Sequence, residues 1–522
     1  MYKRAFVWGT ILCGLLVSNI MGIASDCTRI RFQINGAAME DHLGYAIAGG
    51  GDINGDGRLD FLIGAPGADP GGISQAGSAF LYSGADTSVL GEFHGVNGIN
   101  EDEIFGDILG SALTGLGDVN GDSVLDFIVA APLANPEGRI DAGSVFIHSG
   151  LDNLLLYRLD GQAGRGPGEF FGDALGFSVA SLGDLNGDGM PDFIVGAPYA
   201  NPNSIIDAGS VFVYSGADGQ LLRRIEGFSA GDQFGFSIAA AGDVNADGKT
   251  DFLVGAPHAD PNGVFQAGSA YLFSGASDSL LIQFNGTDSV DELGTSVAGL
   301  GDVNNDGKPD FICGAPAGSP TGPGRPGKAI VFSGLDGSPL HIIIGATAND
   351  GTGRSVDGAG DVDGDGAKDF IVGARYTDPG QFTDAGTASV YSGTDGKLLH
   401  QLNGSSMNEF FGWVVAGVGD VDGNGRDDFM AGARNYSPSE ELSNAGRALL
   451  VLSGTAVKGD LNLDANLSPA DIVSELNAVF LGSAFSAPFC AADTNCDAQL
   501  TPSDVVVLVN AVFGGSPIPC VS

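Results

Sequence analysis

A seven-bladed β-propeller, an all-β ring, is the fold that three features of this sequence predict. A nine-residue acidic segment recurs seven times, and four short apolar runs fill each repeat. The fourth run of the last repeat stands at the start of the chain instead. The acidic segments begin at Asp52, Asp118, Asp184, Asp243, Asp302, Asp361 and Asp420, at steps of 66 residues twice and 59 thereafter. Units of that length suit blades better than the units of about 20–45 residues found in most solenoids.

Repeat four shows the pattern within a unit. Its apolar runs are 234–240 (FGFSIAA), 252–257 (FLVGAP), 267–275 (AGSAYLFSG) and 280–286 (LLIQFNG). Each is short, rich in β-branched or aromatic residues, and bounded by Gly, Asp, Asn or Pro, which marks strands between turns. No run keeps a helical period long enough between breakers to be a helix. Four strands per repeat make a blade. After the third runs of repeats one to six, a fourth run ends at Gly95, Gly161, Gly227, Gly286, Gly345 and Gly404. The seventh third run ends at Ser453 and Gly454 with no successor, whereas 29–36 (RIRFQING) stands alone at the front. The N-terminal strand is therefore expected to complete the last blade and leave the ring without a free edge.

A Phe/Leu-Gly pair opens each unit: Leu43-Gly44, Leu109-Gly110, Leu175-Gly176, Phe234-Gly235, Leu293-Gly294 and Phe411-Gly412, with Thr352-Gly353 in repeat six. Gly-Ala-Pro follows at 64–66, 196–198, 255–257 and 314–316. It becomes Ala-Ala-Pro at 130–132 and Gly-Ala-Arg at 373–375 and 432–434. These residues resemble the FG-GAP repeats of integrin α-subunit propellers and of related bacterial exoproteins. The propeller is expected to span 27–456.

The acidic segments have the spacing of a cation loop. In the first, Asp52, Asn54, Asp56 and Asp60 put side-chain oxygens at positions 1, 3, 5 and 9. Gly57 at position 6 permits the tight turn, and the carbonyl at position 7 adds a donor, as in an EF-hand. The second loop has Asp118, Asn120, Asp122 and Asp126; the third has Asp184, Asn186, Asp188 and Asp192. Asp243, Asn245, Asp247 and Asp251 form the fourth, and Asp302, Asn304, Asp306 and Asp310 the fifth. Asp361, Asp363, Asp365 and Asp369 form the sixth, and Asp420, Asp422, Asn424 and Asp428 the seventh. Hard oxygen donors without His or Cys favour calcium or magnesium over zinc, and calcium's larger, flexible shell suits such a loop. Turn formation by Asp, Asn and Gly would account for one such segment. It does not account for seven with an apolar residue held at position 2. Loop two departs with Ser123 at position 6, loop four with Ala246 at position 4 and loop seven with Asn424 at position 5. The ions are expected to be structural, pinning strand one to strand two.

Beyond Gly454 the pattern changes. Asp460, Asn462, Asp464, Ser468 and Asp471 stand at positions 1, 3, 5, 9 and 12 of a calcium loop, and Asp493, Asn495, Asp497, Thr501 and Asp504 repeat them. Each loop feeds an apolar-periodic helix, at 471–481 and 504–513, with Pro near its start and Gly beyond its end. This duplicated loop-helix, over 457–522, resembles a dockerin type I domain. The resemblance implies a small α-helical domain with two calcium ions that docks to a cohesin-like module on another protein. Ala465 and Ala498 stand where that family has Gly, and Pro469-Ala470 and Pro502-Ser503 stand at its partner-recognition positions.

Composition narrows the function. With 22 Lys+Arg against 64 Asp+Glu, the net charge of −42 repels nucleic acid and anionic membranes. At 43% hydrophobic and 16% charged residues, the chain is not a disordered polyacid. Lys3 and Arg4 before the apolar run 5–16, with small residues at Gly22, Ala24 and Ser25, read as a signal peptide over 1–25. No later segment is a transmembrane anchor. Six cysteines are too few to build the main fold. Cys313 is expected to be a buried thiol, and Cys490, Cys496 and Cys520 leave their pairing open.

No zincin, nucleophile-elbow or P-loop motif is present, so no catalytic residues are expected. The sequence points to a secreted or cell-surface calcium-binding propeller with a binding or adhesion role. Its partner would be an extracellular protein or glycan held on the face away from the cation loops. That face carries Tyr199, His258, Phe265, Arg375, Tyr376, Phe382, Arg434 and Tyr436, with insertions at 100–107 and 165–173. A carbohydrate-binding propeller, or a component of a polysaccharide-degrading system, is the alternative.

Overall fold

The computed structural model describes residues 29–98, 105–166, 169–316 and 324–454, and the strands within them form seven four-stranded sheets. The fold is the expected seven-bladed β-propeller. Blade four consists of Ser237–Gly242, Asp251–Ala256, Ser269–Phe273 and Leu280–Asn285, each antiparallel to the next. Ile238 pairs with Val254, Val254 with Tyr271, and Tyr271 with Gln283, so one row of side chains crosses the whole blade. The first strands of successive blades pack on one another around the axis.

Ring closure occurs where the permuted pattern places it. The last sheet runs Arg29–Asn35, Arg447–Leu452, Asp428–Ala433, Phe411–Gly419. Beyond the N-terminal strand, the Gly36 N–H donates to Gly446 O at 2.9 Å. Gly95 and Gly161 donate in the same way to Gly77 and Gly143, so the closing blade repeats the chemistry of the continuous ones.

The second strands are buried along their whole length, from Asp60–Ala65 in blade one to Asp428–Ala433 in blade seven. They show no polar-out alternation because each sheet is sandwiched between two neighbours. The Phe after each loop's last Asp (Phe61, Phe127, Phe193, Phe252, Phe311, Phe370, Phe429) is at most 1% exposed. Each contributes about 1.5–3 kcal/mol of hydrophobic stabilisation. The core clusters straddle blade pairs: Leu62 and Leu81 of blade one pack with Phe127 and Val129 of blade two. Cys313 is a fully buried free thiol in strand Asp310–Ala315.

One expectation needs correction. The Phe/Leu-Gly pair is not part of the first strand in blades one to five. Phe234 makes a single parallel bridge to Gly209 of the preceding blade, and Leu43, Leu109 and Leu293 do the same with Gly446, Gly77 and Gly268. The glycine that follows has positive φ (Gly235 at 91°) and swings the chain from this fastening into the strand. Blades six and seven differ, since their longer first strands, Thr352–Gly360 and Phe411–Gly419, include the pair.

The signal-peptide and dockerin-like expectations fall outside the described residues. So do Asp460, Asn462, Asp464, Ser468, Asp471, Asp493, Asn495, Asp497, Thr501 and Asp504, and Cys490, Cys496 and Cys520. Among the described residues no helix is long and apolar enough to cross a membrane.

Candidate functional site

All seven acidic segments connect strand one to strand two of their blades and share one hydrogen-bond pattern. The N–H at position 6 donates to the Asp at position 1, at 2.9 Å for Gly57–Asp52 and 2.7 Å for Gly425–Asp420. The N–H at position 5 donates to the side chain at position 3, as from Asp56 to Asn54 and from Asp365 to Asp363. The N–H at position 7 donates to the side chain at position 5, as from Lys249 to Asp247. Side-chain oxygens at positions 1, 3 and 5 thus each accept from the loop's own backbone N–H groups.

The Asp at position 9 ties the loop to the blade. Asp60 accepts from Ile53 N at 2.9 Å and from Gly84 N, in the strand-three-to-four turn, at 3.0 Å. Asp126, Asp192, Asp251, Asp310 and Asp369 repeat this with Gly150, Gly216, Gly275, Gly334 and Gly393. In blades one to five the turn serine adds a bond to position 5, as from Ser274 Oγ to Asp247 at 3.1 Å, and in blade six Thr394 Oγ1 donates to Asp365 instead. Loops 1–2 and turns 3–4 therefore share a face. Blade seven departs, because Leu452 takes the place of that serine and Asn424 takes the place of the position-5 Asp. There Asn424 donates to Ser453 O, and the Ser453 N–H serves Asp428.

The position-9 carboxyls are the ones whose surroundings a cation would relieve. Burial raises the position-9 carboxyls, opposed by the backbone N–H groups that they accept from. Asp369 is pushed up to about 6. Asp428 reaches about 8, through burial first and then the charges of Asp422 and Asp420. Asp361, Asp363 and Asp369 bring ligand oxygens within 4.8 Å of one another, as do Asp420, Asp422 and Asp428. Both oxygens of Asp428 accept from N–H donors, an arrangement made for the ionised form. A dication between these carboxylates would remove the repulsion that opposes that form. The donor set, all oxygen, fits a hard cation.

The opposite face holds the strand-two-to-three loops and the blade-to-blade connections, which bond to each other: Val290 N to Phe265 O, Gly231 N to Ile206 O. Phe170, Phe228 and Phe265 are each more than half exposed there, with Phe105 and Phe382 partly so. Of the residues expected on this face, Tyr199 packs against Phe171 and Phe177, and Tyr436 lies under Arg447. His258, Arg375 and Tyr376 line a cavity of about 450 Å³ with Phe236, Glu292 and Arg354. Of the insertions at 100–107 and 165–173, residues 100–104 and 167–168 lie outside the described residues.

Two residues on this face escaped the sequence reading. Trp413 carries Arg434 over its ring at 3.6 Å and Arg375 at 4.6 Å, with Arg354 at 5.3 Å. Arg354 and Trp413 follow the glycine of the Phe/Leu-Gly pair, a position that reads Tyr45, Ser111, Phe177, Phe236, Thr295, Arg354, Trp413 around the ring. Free variation at one place in a regular repeat was the available signal. A second repeated feature was also missed: a buried acid two residues before the pair, at Asp41, Asp107, Asp232, Asp291, Asp350 and Glu409. It caps its own connecting loop, as Asp41 does for the N–H groups of Ala37 and Ala38.

Comparison with known proteins agrees with this architecture. The FG-GAP repeat family model matches residues 43–82, 109–148, 175–214, 234–273 and 293–332, one segment in each of blades one to five. Integrin alpha-5 of Xenopus laevis is 30% identical over 240 residues, which is 43% of this chain and 22% of that protein. Integrin alpha-8 of Mus musculus is 31% identical over 242 residues, 43% of this chain and 22% of the relative. Integrin alpha-IIb of Mus musculus is 34% identical over 221 residues, 39% and 20% respectively. The chain thus spans about a fifth of the length of these curated relatives. Five segments of the chain thus match the FG-GAP repeat model, and its sequence is similar to integrin α chains.

Proposed function

We propose that this is an exported, non-catalytic binding protein, a calcium-stabilised propeller that engages an extracellular protein through its loop face. One observation carries the reading: the two faces are chemically segregated. Acidic loops occupy one face, while exposed phenylalanines and a cavity occupy the other. Apolar side chains left in solvent around a pocket on a rigid scaffold mark an interaction surface. Similarity to integrin α chains supports binding over turnover. The expected cations are calcium, held by the side chains at positions 1, 3, 5 and 9 of each loop, where they neutralise charge and fix the loop. The charged and then apolar segment at 1–25 supports export to the cell surface or beyond. The duplicated acidic spacing at 460–471 and 493–504 supports attachment through a cohesin-like partner.

The exposed rings of Phe170, Phe228 and Phe265 also suit stacking on sugars, which favours a carbohydrate ligand as the second reading. Screening the calcium-loaded protein and its Phe265→Ser variant on arrays of extracellular proteins and glycans separates the two. Protein hits weakened by the substitution support adhesion, whereas glycan hits alone favour the lectin. Turnover of a polysaccharide, abolished by one loop-face carboxylate change, would overturn both.

A further inference from the structure

Arg354, Arg375 and Arg434 converge on one tryptophan in a protein whose net charge is −42. Like charges so placed repel unless something answers them. Aromatic faces supply part of the answer: Arg375 lies between Trp413 at 4.6 Å and Tyr376 at 4.5 Å, and Arg434 is also 5.8 Å from Tyr45. Carboxylates supply little. Every other close Arg–carboxylate contact among the described residues involves different arginines, and none reaches these three within ion-pair distance. The buried Nε–H groups of Arg375 and Arg434 have no acceptor among the described residues. Burial, followed by the charge of Arg354, lowers the Arg375 guanidinium to about 10. Stacked guanidinium groups present their N–H edges, the geometry that holds a planar carboxylate at two points.

Two of the three, Arg354 and Arg375, line the 450 Å³ cavity. Its acids are Glu292, which burial keeps biased toward the neutral form against the pull of Arg354 and Arg375, and Asp384. The cluster also coincides with the sequence's departures from its own repeat. Arg375 and Arg434 replace the proline of Gly-Ala-Pro in blades six and seven, which lie outside the five segments that match the repeat model.

We propose that this cavity is a carboxylate-binding site, which seats an Asp or Glu side chain of the protein partner inferred above. The proposal rests on that reading for the partner's class. Extended polyanions are disfavoured, because the acidic surface repels them while one carboxylate meets only the local cluster.

Only Trp8 and Trp413 are present, so in full-length Trp8→Phe protein the emission of Trp413 reports the site directly. The probe is N-acetyl-aspartate N-methylamide, with N-acetyl-asparagine N-methylamide as its neutral isostere, at fixed ionic strength and saturating calcium. The aspartate probe is expected to give a saturable change in Trp413 emission, and the asparagine probe none. Arg375→Gln should weaken the response roughly tenfold or more, and Arg375→Lys less. Circular dichroism and melting temperature identify any variant that has merely unfolded, and Arg354→Gln offers a second test of the same site. Equal responses to both probes, no saturable response from folded protein, or stronger binding of glucuronate would overturn the proposal. Empty protein arrays beside an intact probe response would tell against the adhesion reading and leave the carboxylate site standing.

Discussion

Ser123 holds a place that six other loops give to glycine. Its φ of 72° is left-handed, yet its N–H still donates to Asp118 at 2.8 Å, so the loop closes at the expense of backbone strain. Such strain costs about 1–3 kcal/mol in a non-glycine residue, and glycine's greater unfolded freedom offsets part of any relief. Ser123→Gly is expected to stabilise the protein by about 1 kcal/mol, measured by denaturant midpoint. A loss of stability would mean that the hydroxyl does something the backbone does not show. Asp232 is strained electrostatically instead. Burial, with the nearby Asp260 charge, raises it to about 6 from the ordinary carboxylate value. The unfolded chain therefore releases this proton first, so its contribution to stability falls as pH climbs from about 4 to about 6 and stays low above. Asp232→Asn keeps an acceptor for Ser229 and removes the charge. It should gain about 1–2 kcal/mol at pH 8, after allowance for solvent screening, and nothing at pH 4. Equal melting shifts at the two pH values would rule out the ionisation as the cause.

Elements show where sequence pattern suffices and where it stops. The seven second strands, the acidic loops that lead into them and the closing strand were legible because each rests on local chemistry repeated at fixed spacing. What was not legible depends on contacts between blades. Phe234 looks like the start of a strand, since apolarity is all that a sequence displays, and only its bridge to Gly209 makes it a fastening. Asp232 and its counterparts look like loop polarity until burial is known. Arg354 and Trp413 lie 59 residues apart in the chain (413 − 354), and nothing in either repeat alone announces that they meet. The closing strand is also the element most open to attack, because it alone joins its sheet without a connecting turn. A Cβ on Gly36 would stand 1.9 Å from Ala445 O. Gly36→Val is expected to cost about 1–3 kcal/mol and to make residues 29–36 the first protease-sensitive segment. First cleavage elsewhere, at unchanged stability, would show that the ring does not depend on this strand.

At the scale of the whole molecule, charge and metal bear on each other. Seven dications in the seven loops would set fourteen positive charges against a net −42. A cation that binds only the folded state stabilises by about 2.7 kcal/mol per site at a hundredfold excess over its dissociation constant. Chelation should therefore lower the melting temperature well beyond what a single site could explain. The pH dependence of that loss is the sharper test. Without a cation, Asp369 near 6 and Asp428 near 8 are raised carboxyls, so the metal-free protein loses stability as pH rises toward 8. With calcium bound the same groups are held ionised, and that loss disappears. The gap between melting temperatures in calcium and in EDTA should then widen from pH 5 to pH 8, and calcium added at pH 7 should release protons into weak buffer. Magnesium, smaller and more strictly octahedral, should restore less of the gap. A gap that stays constant with pH, or calcium uptake without proton release, would place the cation away from Asp369 and Asp428.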